Sequence, residues 1–385
     1  MAADVLVGGD RHMAHVPDFP GLRLTWDKGF HPTFDRMEAE CVGKCVVVLA
    51  SGDPMYFGAG SAICERFGME NVVVHPAPGA FSLAAARMGW SLPDCEQLTV
   101  HGRAAETVLR YLYPAARLLA LSSDGTTPAI VAGLLTDAGF GQSRITVLEH
   151  LGGKQEGRVE GIAATWTKKN CADLNTLAIE CVADKGAHIY SRSPGLPDDA
   201  FEHDGQLTKR EVRAVTLSSL APLPGEMLWD VGAGAGSIAI EWMRAAPHAR
   251  AVAFERDTVR AGRIEKNANT LGVPRLRVVV GEAPDAFSEM TGKELPDAVF
   301  IGGGVTDTLL GAAWANLKPG GRLVANAVTT TGEAALSAFR KQHGGSLTRI
   351  AVERLEPMAA SRSRDGAEAF RPARQVLHLG VRKVL

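Results

Sequence analysis

The stretch "WDVGAGAGSIAIEW", residues 229–242, decides the fold of the C-terminal half of this 385-residue chain. An apolar run ends at Asp230, a glycine-rich turn covers residues 232–236, and a helical pattern begins at Ser237. A strand, such a turn and a helix, in this order, are typical of the first βαβ unit of a doubly wound sheet. Because the first loop of that fold lines a crevice at the carboxyl ends of the strands, the turn is a candidate ligand site.

The segments after this turn alternate between strand and helix patterns, which predicts a Rossmann-like α/β domain. The strands are predicted within residues 226–234, 250–257, 276–284, 297–304, 322–329 and 374–384, and the helices within residues 237–247, 258–272 and 306–321. Residues 358–371, "MAASRSRDGAEAFR", are small and polar, which predicts a flexible loop.

The N-terminal half also alternates, which predicts a second α/β domain with a mainly parallel sheet. Strands are predicted in "KCVVVLASGDP", "NVVVHPAPG", "ARLLALSS", "SRITVLEHLG" and "NTLAIECV", and helices in "AFSLAAARMGW" and "PAIVAGLLTDAGFG". Pro, Gly and Asp cluster near residues 190–205, so a linker is predicted there. The predicted organisation is a domain over 1–188, a linker over 189–207 and a domain over 208–385.

The overall composition gives no sign of a nucleic acid or membrane partner. The apolar fraction is 46%, the charged fraction 22% and the net charge -2, so no broad basic surface is expected. No apolar run reaches the roughly 18 residues of a membrane helix, and we predict a cytoplasmic protein. The six cysteines lack the paired spacing of a zinc site, and we expect no metal.

Asp230 bears on which ligand the glycine-rich turn binds. The turn has the spacing G-x-G-x-G and not the G-x-G-x-x-G of dinucleotide sites. A pyrophosphate beside Asp230 would meet a like charge, which at 4 Å costs about 1 kcal/mol even in full solvent. A cationic nucleoside is therefore favoured, and S-adenosylmethionine is such a compound. The alternatives are an NAD-dependent oxidoreductase, or a turn with no ligand.

The ends of three predicted strands supply the expected donor site. Glu255 ends the second strand, where a carboxylate can accept hydrogen bonds from the two ribose hydroxyls. Glu282 and Ala283 follow the third strand and are expected near the adenine. The residues expected to bind the donor in this half are Asp230, Gly232, Ala233, Gly234, Ala235, Gly236, Glu255, Glu282 and Ala283.

The segments "FEHDGQLTKREVR" (201–213) and "FIGGG" (300–304), with the glycine-rich turn, resemble the class I methyltransferase domain of cobalamin biosynthesis. Residues 1–185 resemble the tetrapyrrole methylases (class III), through "VGGDRH", "ASGDPMYFGAG", "PAPGAFSLAAARMGW", "HGR" and "LNTLAIEC". Together the halves resemble a fused family of precorrin methyltransferases. The resemblance implies methylation at C15 and decarboxylation of the C12 acetate by the second domain, and methylation at C5 by the first.

The resemblance departs from the tetrapyrrole methylase pattern at the N-terminus. Those proteins open with a strand and a G-x-G-P-G loop that helps to form the donor site, whereas this sequence begins at "MAADVLVGGDRH". We therefore expect the N-terminal domain to lack its first strand and glycine-rich loop here, because either the sequence is shortened or the N-terminal site is incomplete. In the second case we expect weak or absent donor binding by the first domain. A non-catalytic tetrapyrrole-binding protein with a degenerate first domain remains an alternative.

The remaining candidate residues follow from the chemistry that the resemblance implies. A substrate with many carboxylates should meet cations, and a helix starting after Thr208 carries several. Thr208 is expected to cap that helix and to lie at the donor pocket. The expected substrate-binding residues are Lys209, Arg210, Arg213, Gly302, Gly303, Gly304, His101 and Arg103, and the expected donor-binding residues of the first half are Gly52, Asp53 and Pro54.

The expected reaction needs no catalytic side chain. The sulfonium is already activated and a meso carbon of a reduced tetrapyrrole is nucleophilic. The protein therefore accelerates the reaction mainly by holding the two reactants in line. We assign no catalytic residue and expect a homo-oligomer, as is usual in both families.

Overall fold

The computed structural model describes residues 3–26, 29–290, 292–357 and 368–384. The chain divides into two compact units. The first comprises Met1–Arg103, Pro114–Gly133 and Gly141–Val182, and the second Ala104–Tyr113, Leu134–Phe140 and Ala183–Leu385. Among the helices of the described residues, none has the length and apolar character that a membrane span requires.

The first unit begins with a small parallel sheet in the order β2-β1-β3. Its elements are β1 (Val5–Gly8), α1 (Asp10–Met13), β2 (Leu22–Thr25), α2 (Phe30–Glu40), β3 (Val46–Val48) and α3 (Gly60–Phe67). Val7 of the central strand is fully buried against Phe34 and Ile63 of the helices. Apolar residues at alternate strand positions thus form the core of this sheet.

A second sheet of the first unit has five strands in the order β4-β5-β8-β6-β7. Its strands are β4 (Glu96–Thr99), β5 (Arg117–Leu121), β6 (Arg144–Glu149), β7 (Gly157–Ile162) and β8 (Asn175–Glu180), and the helices of this stretch are α4 (Ala80–Met88) and α5 (Thr127–Asp137). Only β4 and β5 pair in parallel, and the other three pairs are antiparallel. The prediction of a mainly parallel sheet is wrong here, because an apolar run indicates a buried strand and carries no information on its direction.

One predicted strand of the first unit is also wrong. "NVVVHPAPG" forms no strand within residues 72–79, and the Val73 side chain is 80% exposed.

Short 3-10 helices occur in both units, at Met69–Asn71, Leu92–Asp94, Ala105–Tyr111, Ala163–Thr165, Asp198–Ala200, Asp285–Glu289 and Gly292–Glu294.

The second unit is the predicted doubly wound α/β domain, with strand order β11-β10-β9-β12-β13-β17-β14. Its strands are β9 (Met227–Val231), β10 (Arg250–Glu255), β11 (Arg277–Val280), β12 (Ala298–Ile301), β13 (Arg322–Ala327), β14 (Ser346–Ile350) and β17 (Val376–Arg382). Its helices are α6 (Arg210–Leu220), α7 (Ser237–Ala245), α8 (Thr258–Thr270), α9 (Asp307–Asn316) and α10 (Thr330–His343). Within the described part of this sheet, β17 is antiparallel to both of its neighbours, β13 and β14, and the remaining pairs are parallel.

The chain reverses its direction of winding between β9 and β12. From β9 it proceeds outward through β10 to β11, and it then returns to pair β12 with the other side of β9. Apolar cores form on both faces of the sheet, around Trp229 on one side and Trp242 on the other. The loops after β9 and β12 therefore open a crevice at this switch point.

Two segments differ from their sequence-based description. Within 189–207, the predicted linker, Leu196 and Phe201 are buried in the core of the second unit. Of the predicted loop 358–371, residues 358–367 lie outside the described residues. The loop prediction is wrong for 368–371, because β16 (Glu368–Pro372) pairs with β15 (Glu353–Pro357) in a separate two-stranded sheet.

Candidate functional site

The glycine-rich turn after β9 has a backbone that only glycine adopts easily. Gly232, Gly234 and Gly236 have φ values of +70°, +61° and +76°, in the left-handed region that is costly for other residues. The turn is tied to β10, because the N–H groups of Gly232 and Ala233 donate to the Phe254 carbonyl at 3.0 and 3.1 Å. At Gly236 an added Cβ would lie 2.7 Å from Ile264 Cγ2, so this glycine allows α7 and α8 to pack.

The second glycine run, after β12, lies against the first. Gly302 donates its N–H to the Val231 carbonyl at 3.0 Å. A Cβ on Gly232 would lie 3.4 Å from the Gly303 nitrogen. At Gly303 and Gly304, a Cβ would meet none of the described atoms within 4 Å. The structure thus brings the two predicted glycine segments together at the switch point and leaves the second open on one side.

Asp230 is buried beneath the glycine-rich turn and is only 1% exposed. Its Oδ2 accepts a hydrogen bond from the Ala239 N–H at 3.0 Å, in the first turn of α7. Its Oδ1 is buried and has no hydrogen-bond partner within the part of the chain that the structure describes. Burial raises the pKa of Asp230 to about 7, while the Ala239 N–H lowers it and the Glu255 carboxylate raises it. A buried hydrogen-bond acceptor without a partner favours binding of a ligand that carries a hydrogen-bond donor.

Glu255 lies at the end of β10, and its carboxylate points to the glycine-rich turn. Its Oε2 accepts the Gly234 N–H at 2.8 Å, and its Oε1 accepts the Asp257 N–H at 3.1 Å. Since each carboxylate oxygen has two acceptor sites, one site per oxygen is left for a further donor. The two backbone bonds fix the orientation of Glu255 so that it can accept two ligand hydroxyls.

The end of β11 reaches the same corner of the sheet. Gly281 donates its N–H to the Glu255 carbonyl at 3.1 Å, and Ala283 packs against the core. The Glu282 side chain is 74% exposed and lies 3.4 Å from Arg256 on the surface. The backbone at 281–283 is thus beside Glu255, while the Glu282 carboxylate faces solvent.

These groups fit an adenosine that carries a cation better than a dinucleotide. The buried Oδ1 of Asp230 can accept from an ammonium group, and Glu255 can accept from two ribose hydroxyls. A phosphate has no hydrogen to donate to either carboxylate and would be repelled by both. Asp230, Glu255 and the glycine-rich turn would hold S-adenosylmethionine, which supplies an activated methyl group.

The start of α6 differs from the prediction. The helix begins at Arg210 with Lys209 as its N-cap, and no side chain among the described residues caps it. The capping role predicted for Thr208 is therefore wrong. Lys209 is half-buried and Arg210 is exposed, which leaves both cations able to meet a ligand.

Arg213 does not bind substrate, because it is fully buried and its guanidinium is used within the second unit. Its Nε donates to Glu241 Oε1 at 2.6 Å, and its Nη1 donates to Asp198 Oδ1 at 3.1 Å. It also donates to the carbonyls of Leu196 and Thr208. The substrate-binding prediction for Arg213 is wrong, since its guanidinium is fully buried and bound to these partners, out of reach of a ligand.

The predicted loop of the first unit is a tight turn built on its own backbone. Gly52 has φ +61°, and a Cβ there would lie 2.7 Å from the Gly79 Cα. Asp53 Oδ1 accepts the Met55 N–H at 2.9 Å, and the Pro54 carbonyl accepts the Gly60 N–H at 2.8 Å. The side chains of Asp53 and Pro54 are half-buried.

His101 and Arg103 are both exposed at the turn after β4. The Arg103 guanidinium lies 5.9 Å from the centre of the Phe57 ring. His12 is half-buried, its Nε2 lies 2.8 Å from Ser51 Oγ, and burial lowers its pKa. The structure therefore brings Arg103 to Phe57 of the "GDPMYF" turn.

Comparison with known proteins identifies the family. Residues 199–383 match the precorrin methyltransferase domain, and residues 32–165 match the tetrapyrrole (corrin/porphyrin) methylases. A precorrin-6Y C(5,15)-methyltransferase (decarboxylating) from Sinorhizobium sp is 47% identical over 379 residues, which cover 97% of this chain and 89% of that protein. The chain belongs to the precorrin-6Y C5,15-methyltransferase (decarboxylating) family.

Other relatives carry the same name. The protein so named from Mycobacterium tuberculosis (strain ATCC 25618 / H37Rv) is 40% identical, with 99% of this chain and 93% of that protein covered. The solved C-terminal domain of precorrin-6Y C5,15-methyltransferase from Rhodobacter capsulatus is 42% identical, covers 50% of this chain and 100% of that chain, and has a TM-score of 0.46.

Membership of this family confirms the resemblance seen in both halves of the sequence. It makes the chain a methyltransferase, and the methyl donor of the family is S-adenosyl-L-methionine. The alternative of an NAD-dependent oxidoreductase receives no support from these relatives.

Three residues of the second unit that sequence reasoning missed hold the glycine-rich turn or the chain segments beside it. Asn267 bonds the Ala235 carbonyl of the turn, the Gln206 carbonyl lies over Gly234, and Glu241 holds Arg213. Asn267 gave one signal: it shares the buried stripe of α8 with Ile264, where a polar residue needs a partner.

Proposed function

We propose that this chain transfers methyl groups from S-adenosyl-L-methionine to C5 and C15 of precorrin-6Y and removes the C12 acetate carboxyl, in cobalamin biosynthesis. The names of relatives that match nearly the whole chain support this activity. The proposed division is C5 methylation by residues 1–188, and C15 methylation with decarboxylation by residues 208–385, joined by 189–207.

The observation that carries the proposal is the pair of buried carboxyl groups behind the glycine-rich turn. Asp230 presents an acceptor without a partner among the described residues, and Glu255 is oriented by two backbone N–H groups. The proposed donor site comprises Thr208, Asp230, residues 232–236, Glu255, Glu282 and Ala283, with Gly52, Asp53 and Pro54 proposed for the first domain.

Methyl transfer at this site needs positioning more than acid or base catalysis. The bond from the methyl carbon to sulfur breaks as the bond to the macrocycle carbon forms, and the electron pair of the broken bond goes to sulfur. The methylated macrocycle, now positively charged, then releases one proton. Holding the partners in line can contribute about 7–11 kcal/mol. Asp230 and Glu255 fix one partner, and the open backbone at Gly303 and Gly304 leaves room for a flat macrocycle.

Decarboxylation needs an electron sink, which the conjugated macrocycle provides. The bond between the acetate carbon and its carboxyl breaks, carbon dioxide leaves, and the carbon gains a proton. The substrate carboxylates need cations to orient them. We propose that Lys209 and Arg210 bind these carboxylates in the second domain, where the macrocycle would approach the backbone of Gly302–Gly304. In the first domain we propose His101 and Arg103.

The full chain incubated with precorrin-6Y and a methyl-deuterated donor tests the proposal by mass spectrometry of the product. We expect two labelled methyl groups and the loss of one carbon dioxide. The Gly234→Val chain should add one label, at C5, and release no carbon dioxide. A product without label would contradict the proposal and favour a non-catalytic tetrapyrrole-binding protein.

Two further properties belong to this proposal. We propose a cytoplasmic homo-oligomer with no nucleic acid partner, as expected for both domain families. Light scattering of the purified chain measures the oligomer, and a monomer would contradict that part.

A further inference from the structure

Residues 196–208, which we call the roof segment, precede α6 in the second unit, and one of them, Gln206, lies over the glycine-rich turn. The Gln206 carbonyl oxygen lies 3.5 Å from the Cβ position of Gly234. Apart from the 3-10 helix at Asp198–Ala200, the roof segment has no regular secondary structure. The distance between the roof segment and the glycine-rich turn must therefore be set by side-chain contacts.

Asn267 joins the roof segment to the glycine-rich turn through a single amide group. The residue is 3% exposed on α8. Its Oδ1 accepts the Glu202 N–H at 2.8 Å, and its Nδ2 donates to the Glu202 carbonyl at 2.9 Å. The same Nδ2 donates to the Ala235 carbonyl at 3.0 Å. Only a side chain with both a donor and an acceptor makes these three bonds.

Arg213 binds both ends of the roof segment. Its guanidinium bonds the carbonyls of Leu196 and Thr208 and the carboxylate of Asp198. The ring of Phe201 packs 4.9 Å from the guanidinium carbon. The middle of the segment is held by the buried ring of Phe201, by an ion pair of Asp204 with Arg260 at 2.8 Å, and by Asn267. Asn267 also bonds the glycine-rich turn itself, through the Ala235 carbonyl.

A surface contact to the same stretch provides a contrast. Lys266, the neighbour of Asn267 on α8, pairs with the Glu202 side chain, and the two side chains are 67% and 51% exposed. An exposed pair of this kind contributes little to structure. It touches the side chain of Glu202, whereas Asn267 holds the backbone of that residue.

We propose that Asn267 is a positioning residue for the methyl donor, which sets the width of the donor cleft by fixing the roof segment to the glycine-rich turn. The inference rests on the proposed function, because it takes this turn as the donor site. Loss of the amide would let the roof segment and the turn move apart. The donor would then bind more weakly, while the chemistry of the bound donor would change little.

The test uses the full chain with Asn267→Asp and Asn267→Ala, and Lys266→Ala as the matched control. Asn267→Asp keeps the acceptor for the Glu202 N–H and loses both donors. We expect the KM for S-adenosylmethionine in C15 methylation to rise about tenfold or more, as for the loss of a buried hydrogen bond, and kcat at saturating donor to change much less. Lys266→Ala should leave both constants unchanged.

A purely structural role gives a different result. The melting temperature and the active fraction would fall, but the KM for the donor would stay at the wild-type value, and this would overturn the inference. Hydrogen exchange on the wild-type chain gives a second measurement that needs no variant. Donor should protect the amides of 202–208 and 233–236 together, and protection of the turn alone would also overturn it.

The outcome can be separated from a failure of the proposed function. If the wild-type chain and Gly234→Val bind the same amount of donor, the glycine-rich turn is not the donor site and the proposed function fails. If Gly234→Val loses donor while the Asn267 variants bind normally, only the inference about Asn267 fails.

Discussion

The glycine-rich turn after β9 and the "GDPMYF" turn of the first unit both follow a short buried or half-buried strand, but their surroundings differ. Two buried carboxyl groups, Asp230 and Glu255, stand behind the first. In the second, the Asp53 carboxylate is half-buried and accepts the Met55 N–H. Carboxyl groups therefore line a candidate ligand site in the first turn, whereas the carboxylate of the second turn stabilises the turn itself.

The side chains that the two turns present differ as well. Met55, Tyr56 and Phe57 are 46%, 47% and 41% exposed, and the Tyr56 and Phe57 rings lie 4.8 Å apart. An exposed aromatic surface suits a flat macrocycle, whereas buried acceptors suit a small cation with hydroxyl groups. We therefore expect substitutions of the buried carboxyl groups and glycines of the second unit's turn to change donor binding there, and substitutions of the exposed aromatic residues of the first unit's turn to change substrate binding.

The largest effect is expected for Gly234→Val. Its φ of +61° is costly for a branched side chain, and the added Cβ would lie 3.5 Å from the Gln206 carbonyl, in the space between turn and roof segment. We expect donor binding by the second unit to be lost, as measured by calorimetric titration. Gly225→Val is the matched control, because Gly225 has φ +78° but lies in a turn with open space around it. Equal donor affinity in the two variants would contradict the role of the turn.

A smaller effect is expected when each turn's carboxylate is replaced by an amide. Glu255→Gln removes an acceptor from either Gly234 or Asp257 and one from the ligand. We expect donor affinity to fall by about tenfold to a hundredfold, the range for a hydrogen bond to a charged group. Asp53→Asn keeps an acceptor for the Met55 N–H and should leave donor affinity in the second unit unchanged. A loss in Asp53→Asn equal to that in Glu255→Gln would remove the contrast between the turns.

The acidity of Asp230 predicts a pH dependence of donor binding in the second unit. Because burial raises the pKa of Asp230 to about 7, the group is neutral below that pH and charged above it. A cationic donor prefers the charged form, so its affinity should fall as the pH drops through about 7, approaching a tenfold loss per pH unit. Titrations between about pH 6 and pH 8 measure this, and Asp230→Asn should flatten the profile. A wild-type profile with the opposite slope would show that the donor does not meet this carboxylate.

The smallest effect is expected for Tyr56→Leu. The exposed ring should contribute an aromatic contact of about 0.5–1.5 kcal/mol, so the KM for precorrin in C5 methylation should rise a few-fold. C15 methylation should not change. Val73→Ala, at an exposed apolar residue of the same unit, is the control. A change in C15 methylation alone would contradict the assignment of the aromatic surface to C5.

Local patterns predicted most of the second unit because the strands from β9 to β13, and β17, are apolar runs of a few residues, most of them followed by a turn signal. The turn at 232–236, for example, predicted both the end of β9 and the start of α7. The polar strands β14, β15 and β16 gave no such pattern. The five-stranded sheet of the first unit was harder. Its β6 and β7 pair as antiparallel neighbours, and strand direction follows from the connections between strands, which no single segment contains.

Arg213 shows a limit and a missed signal. It was predicted to bind substrate because it belongs to a charged run, yet it stands three, four and seven residues before Thr216, Leu217 and Leu220 on the buried stripe of α6. The helical spacing therefore indicated burial. Its partner Glu241 lies 28 residues away in sequence, so the ion pair itself could not be predicted from the local pattern.

The sequence by itself determined the doubly wound fold of the second unit, the place of its glycine-rich turn and the family, since these depend on short-range patterns of apolar residues, glycines and motifs. The tertiary structure alone decided that Asp230 is buried with an acceptor left over, that Arg213 is internal, and that Asn267 joins the roof segment to the turn. These properties arise from contacts between residues distant in sequence, and burial then sets the charge and the hydrogen bonds that each group can keep.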